Sequence, residues 1–385
     1  GMNSNIDEDQ FERNKLNCVI VLDVSGSMGS SFNNKSNKSK MQVACESLIC
    51  LISQLNYDDK FGLVLFSSAA KCIVPLTKLS EMSMNDIQGL MNIRQGGGTN
   101  FDAGYSTGIN CFKKGFKRYK KETNNNENEY DNRMIYLTDA IPTVGIGTSK
   151  DLLKLVKSNA NKKKIYSTFI GVGLDFNVEL INQITKVFGA NYYSVKSNKE
   201  FLKRMNEEFK YMVSPLVFGL KLSLECEGKA DIIEEVYGID SDYDKNKNTE
   251  LMNVNTLFPS PTDDDGDTKG GVIIVKLKKM DEYNISISCK YKDKKGKEFN
   301  NKQSVAFKDA NENNADNNDD GKQNNDNNED NGNINSNYFD NNGIRKALLL
   351  VDYVSLMKQW IKSENDNNNI SKLKSKEMIQ KYMYS

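Results

Sequence analysis

From residue 17 to about residue 212, short apolar runs alternate with amphipathic stretches of helical period, and that rhythm leaves few folds open. CVIVLD (18–23), FGLVLFS (61–67), KCIVPL (71–76), RMIYLTD (133–139), KIYSTFIGVG (164–173) and ANYYSV (190–195) read as strands. Residues 40–55, 83–93, 101–119, 149–162, 175–189 and 198–213 read as helices. A strand that is apolar on both faces needs cover on both, and alternating helices supply it. The expected fold class is α/β: a doubly wound, mostly parallel sheet. Pro75 marks KCIVPL as an edge strand or a strand end.

Around Pro215 the rhythm changes. Six runs between residues 215 and 308 have strand character, are separated by turn residues, and have no helix between them, which reads as an antiparallel β-sandwich. Residues 309–337 are nearly all Asn, Asp, Glu and Gly; such a composition cannot bury enough surface to offset about 1–2 kcal/mol of ordering entropy per residue. A disordered insert is expected there. Helical periodicity returns at 338–364, with the single tryptophan, Trp360, and again at 370–383. The expected organisation is a tail (1–16), an α/β domain (17–213), a β-sandwich (214–308), the insert (309–337) and C-terminal helices (338–385).

Composition removes several classes of function. Lys plus Arg equals Asp plus Glu at 52 each, so no basic field draws in nucleic acid. No run approaches the roughly 20 apolar residues of a membrane span, and residues 2–16 are too charged for a signal peptide. The seven cysteines (18, 45, 50, 72, 111, 226 and 289) sit in apolar patterns with no CxxC pair, as buried reduced thiols do, and a cytoplasmic setting is expected. The chain has no histidine, which excludes Ser-His-Asp and Cys-His nucleophiles and His-ligated zinc.

In CVIVLDVSGSMGS (18–30) the first strand ends on Asp23, followed at spacing two by Ser25 and Ser27. Gly26 and Gly29 break the strand, so three oxygen-bearing side chains gather beyond its carboxyl end, where open α/β sheets place their ligands. RQGGGTNFDAG (94–104) sets Thr99 after a glycine run at a helix entrance, and RMIYLTDAIPTVG (133–145) sets Asp139 at the end of another apolar strand. Two carboxylates and three hydroxyls make a hard, all-oxygen environment suited to Mg²⁺, Mn²⁺ or Ca²⁺ rather than zinc.

DVSGS (23–27), GGTN (97–100) and LTDA (137–140) resemble the metal-ion-dependent adhesion site of the von Willebrand factor type A domain family, in the right order on the right elements. The resemblance implies that Ser25 and Ser27 coordinate the metal directly. Thr99 joins directly or through water, and Asp23 and Asp139 mostly hold metal-bound waters. It further implies a non-enzymatic binding module whose partner, a protein presenting Asp or Glu, completes the metal shell. The β-rich and helical segments after residue 214 resemble the layout of inter-α-inhibitor-like proteins and of plant RING-type proteins carrying this module, without a RING pattern.

Two further readings stay open. One is a scaffold that binds through residues 215–385 with a vestigial metal site. The other is a Mg²⁺-dependent phosphoryl-transfer hydrolase with Asp23 as nucleophile, although such enzymes generally need an acidic residue two positions later, where this chain has Ser25. Ala140 stands where the family commonly has Gly. Asp102 reads as the cap of the helix beginning there. SSFNNKSNKSK (30–40) reads as a solvated insertion that overhangs the metal face, PTDDDGDTKGG (261–271) as an acidic hairpin tip, and KKGFKRYKKE (113–122) as a solvated basic helix end.

Overall fold

The computed structural model describes residues 12–32, 37–83, 93–119, 130–139, 149–172, 183–195, 198–226, 233–238, 250–259, 272–278, 282–308 and 342–365. Several sequence expectations lie outside them: the helix over 84–92, the first half of the 175–189 helix, Ala140, the 261–271 tip, the 309–337 insert and the final helix.

Six strands form one sheet: β1 (Lys15–Asp23), β2 (Lys60–Phe66), β3 (Ala70–Lys78), β4 (Tyr130–Thr138), β5 (Ile165–Val172) and β6 (Asn191–Val195). Their order is β3-β2-β1-β4-β5-β6, with β3 the only antiparallel member. The chain winds outward from β1 to β3, then crosses back to start β4 on the other side of β1. Pro75 lies inside the edge strand β3, and the β2–β3 register shifts on both sides of Leu63.

Among the described residues, the helices that cover the sheet include α1 (Lys40–Ser53), α2 (Phe101–Tyr119), α3 (Ser149–Lys163) and α4 (Asn198–Val213). The two-residue period of β1 shows which helices cover which face. Leu16, Cys18, Ile20 and Leu22 pack with Ala44, Leu48 and Leu51 of α1 and Phe209 of α4, whereas Val19 and Val21 pack with Tyr105 and Phe112 of α2 and Val156 of α3. Helix α2 lies close to the sheet because Gly104, Gly108 and Gly115 face it. A Cβ on Gly104 would come within 2.6 Å of Tyr136 Oη, and one on Gly115 within 2.6 Å of Leu76 Cδ2.

At the amino-terminal edge of the sheet, Asp59 is fully buried, pairs with Arg13 and accepts the Leu16 and Asn56 N–H groups at 2.7 Å. Arg133 is buried as well. It donates to Gly189 O (2.7 Å) and Val213 O (2.8 Å), and its guanidinium lies 5.6 Å from the Phe258 ring centre.

All six C-terminal strands foreseen in the sequence are present: β7 (Val217–Cys226), β8 (Ile233–Tyr237), β9 (Glu250–Leu257), β10 (Ile274–Leu277), β11 (Glu282–Lys292) and β12 (Glu298–Lys308). They form a four-stranded sheet, β12-β11-β7-β9, and an antiparallel β10-β8 pair. Leu224, Leu251 and Ile285 of the first pack with Ile233, Val236, Val275 and Leu277 of the second. Helix α5 (Asn342–Asn365) follows. The chain divides into two compact units; of the described residues, the first holds those up to 221 together with 253–259 and 290–300, and the second holds the others.

Candidate metal centre

Strands β1 and β4 are neighbours at the point where the strand order reverses, and pairing Leu22 with Leu137 brings Asp23 level with Thr138. The Thr138 hydroxyl donates to Asp23 Oδ2 at 2.6 Å, and the Ser25 N–H donates to Asp23 Oδ1 at 2.8 Å. Burial pushes the Asp23 carboxyl above its ordinary range. The hydrogen bonds from Thr138 and Ser25 oppose the rise, and the nearby Asp139 adds to it.

The strand ends because residues 26–29 turn into a single 3-10 turn, with Met28 buried beneath it. This lifts Ser27 above Ser25. Ser25 Oγ and Ser27 Oγ lie 3.0 Å apart, and Ser27 Oγ donates to Asp139 Oδ1 at 2.9 Å. The donors form a ladder of accessibility: Asp23, Ser25 and Asp139 are buried, whereas Ser27 is exposed.

The glycine-rich loop is fastened beside this cluster by its backbone. Gly26 N–H donates to Gly97 O (2.9 Å), and Gly96 N–H donates to Val24 O (2.7 Å). Gly97 takes φ +84°, a conformation open to glycine, and Gly98 N–H donates to Ser68 Oγ at 2.8 Å. Thr99 follows, buried at 6 % exposure. Asp23, Ser25, Ser27 and Asp139 are thus joined by hydrogen bonds, and Thr99 is brought alongside through its loop.

Two sequence expectations need correction. The cap of α2 is Asn100, whose Oδ1 accepts from Ala103 N–H at 3.1 Å; Asp102 lies within the first turn and accepts from Ser106 Oγ at 3.3 Å. The 30–40 stretch is not simply a solvated overhang. Its ends are drawn together by Phe32 N–H to Lys38 O (2.9 Å) and Lys40 N–H to Ser30 O (3.0 Å), and Phe32 is buried against the α1 side of the core. That loop ends in a full capping box, with Ser39 Oγ accepting from Gln42 N–H and Gln42 Oε1 from Ser39 N–H. At the basic end of α2, Arg118 and Tyr119 reach Glu81.

Sequence reading missed one charged participant. Lys40 Nζ donates to Asp139 Oδ2 at 2.9 Å with its side chain 12 % exposed. Only its place one residue after an N-cap serine, just beyond the DVSGS loop, pointed to it. Among the described residues no group of three or more His, Cys, Asp or Glu side chains is placed to hold a metal, so any cation here depends on hydroxyls. The oxygens present fit one: two neutral hydroxyls 3.0 Å apart, with the Asp139 carboxylate 2.9 Å from Ser27 Oγ, make a hard, all-oxygen donor set.

A doubly wound sheet with helices on both faces, carrying serine hydroxyls and two carboxylates at its switch point, belongs to the class of open α/β domains that place their sites beyond the carboxyl ends of the strands. The sequence profile of the von Willebrand factor type A domain matches residues 17–208, and the chain carries a domain of that family. Domains of this family commonly mediate metal-dependent protein–protein interaction, often bind a divalent cation, and are mostly non-enzymatic. Curated relatives include the uncharacterized protein YfbK of Escherichia coli, 25 % identical over 54 % of this chain and 33 % of its own length. Mouse inter alpha-trypsin inhibitor heavy chain 4 is 24 % identical over 57 % of this chain and 22 % of its own length. The chain therefore spans a third or less of either relative.

Among solved structures, a von Willebrand factor type A protein from Catenulispora acidiphila aligns over 77 % of this chain and 66 % of its own, with 15 % identity and a TM-score of 0.46. Proximal thread matrix protein 1 of the mussel byssus, with a zinc-occupied site, aligns over 53 % and 49 %, with 18 % identity and a TM-score of 0.38.

Proposed function

We propose that this chain is a non-enzymatic protein-binding module that uses a divalent cation, Mg²⁺ in preference to Mn²⁺ or Ca²⁺, to capture an Asp or Glu of a partner protein. The observation that carries the reading is the hydrogen-bonded run Ser25–Ser27–Asp139 above the buried Asp23. Ser25, Ser27 and Thr99 are the neutral donors; Asp23 and Asp139 orient water and the hydroxyls. A bound cation would supply an under-neutralised positive charge facing solvent at Ser27, suited to an incoming carboxylate. The cytoplasmic setting belongs to the same proposal.

The chain's own groups argue against the hydrolase. Asp23 is fully buried and presents no exposed oxygen to an incoming phosphoryl group.

The direct test is calorimetric titration of Mg²⁺ into chelator-treated wild type and Ser25→Ala, with thermal unfolding alongside. Wild type should bind and gain stability, and Ser25→Ala should lose both responses. Equal binding by both proteins would remove Ser25 from the site and the proposal with it. The scaffold reading draws on one observation: α5 exposes Leu349, Leu350, Tyr353, Val354 and Ile361. It expects partner capture that survives chelation, which the cation-dependent reading forbids.

A further inference from the structure

Beneath the edge of the six-stranded sheet, strand β3 and helix α2 bring two thiols together. On β3, Cys72 and Leu76 pack with the α2 side of the core, while Lys71, Ile73 and Pro75 are exposed. On α2, Cys111 and Gly115 lie one turn apart on the stripe facing β3, and Gly115 sits directly over Leu76. Cys72 Sγ lies 3.7 Å from Cys111 Sγ, although the residues are 39 apart in sequence. None of the seven cysteines is in a disulfide.

We propose that Cys72 and Cys111 form a redox modification site, closing reversibly to an intramolecular disulfide on exposure to a low-molecular-weight disulfide such as oxidised glutathione. The sulfurs must approach by less than about 2 Å to reach bonding distance.

The two cysteines have different roles. Cys72 is half-buried and Cys111 buried, so the outer thiol meets the reagent first. The hydrogen bond with Cys111 lowers the Cys72 thiol, with the Lys114 ammonium helping. The same bond and burial hold Cys111 high. Cys72 Sγ, as thiolate, attacks one sulfur of the reagent, forming a mixed disulfide and releasing one thiolate. Cys111 then gives up its proton and attacks Cys72 Sγ, expelling the second thiolate. Two protein thiols and one small disulfide become one protein disulfide and two small thiols.

The link would tie the outermost strand to the helix whose entrance carries the Thr99 loop. Gly62 of β2 makes room for it, since a Cβ there would lie 3.0 Å from Cys111 Sγ.

The test is to treat the reduced, folded full chain with excess oxidised glutathione, block free thiols, and map peptides by mass spectrometry. Expected is a Cys72–Cys111 cross-linked peptide, a mass loss of two hydrogens, and a raised midpoint of thermal unfolding that dithiothreitol reverses. Cys111→Ser should stop at a glutathione adduct on Cys72, and Cys72→Ser should leave Cys111 unmodified. The proposal fails if wild type keeps both thiols free, stops at the Cys72 adduct, or links either cysteine to another partner. Because wild-type mapping decides alone, a variant that folds poorly does not blur the result.

Discussion

At the scale of single residues, the centre stores a conflict between charge and burial. Asp23 is fully buried and its carboxyl is raised chiefly by desolvation, so the folded chain favours its protonated form. Its contribution to stability is therefore complete below the unfolded carboxylate value of about 3.9 and is lost as pH rises through the higher folded value. In chelator, Asp23→Asn should be at least as stable as wild type at neutral pH, with an advantage that grows as pH climbs from about 4. Unfolding midpoints across that range check this, and an advantage constant with pH would contradict it. Lys40 presents the opposite case. Its ammonium on Asp139 stabilises the metal-free chain but repels an incoming cation. Lys40→Met should lower the unfolding midpoint in chelator while tightening Mg²⁺ binding about tenfold, corresponding to about 1.4 kcal/mol. Calorimetry showing weaker binding would mean that Lys40 supports the site rather than competing for it.

At the scale of elements, the distance between α2 and the sheet depends on glycine. Gly104→Ala would place a methyl 2.6 Å from Tyr136 Oη and 2.7 Å from Phe66 Cγ, both on fully buried side chains. We expect a loss of about 1–3 kcal/mol in urea unfolding, from overpacking. Gly96→Ala, with no atom within 4 Å of the added carbon, serves as the neutral control. The sequence revealed elements better than it revealed neighbours. CVIVLD and RMIYLT could be read as strands because both their faces are apolar, and Asp23 and Asp139 stood out as carboxylates closing such runs. Thr138 and Lys40 did not. Their roles arise from pairings 115 and 99 residues away, fixed by strand register and by the closed 30–40 loop, which no local period records. The helix start at Phe101 was legible, and Asn100 rather than Asp102 takes the cap because it stands just before that start, whereas Asp102 lies inside the first turn.

At the scale of the whole molecule, the α/β unit includes more than residues 17–213. Gly189 N–H donates to Thr256 Oγ1 at 2.6 Å, Asn255 donates to Lys186 O, and Phe258 flanks Arg133. Lys294 Nζ reaches Asp131 Oδ2 at 2.8 Å. A fragment ending at residue 213 would leave the buried Gly189 N–H without its acceptor and uncover the side of Arg133 that faces Phe258. It should fold with a stability deficit of about 1–3 kcal/mol relative to the full chain. Equal chemical-denaturation midpoints for the α/β unit in fragment and full chain would show that these contacts are dispensable.

The outer rim of the main sheet has a consequence for how such chains share a crowded solution. Strand β3 offers a broken template: Pro75 lacks one amide, Lys71 brings a charge, and the register slips on both sides of Leu63. At the far rim, β6 has only five residues. Neither border can easily seed growth by adding strands from other copies, so molecules that meet edge to edge are set to part again rather than polymerise.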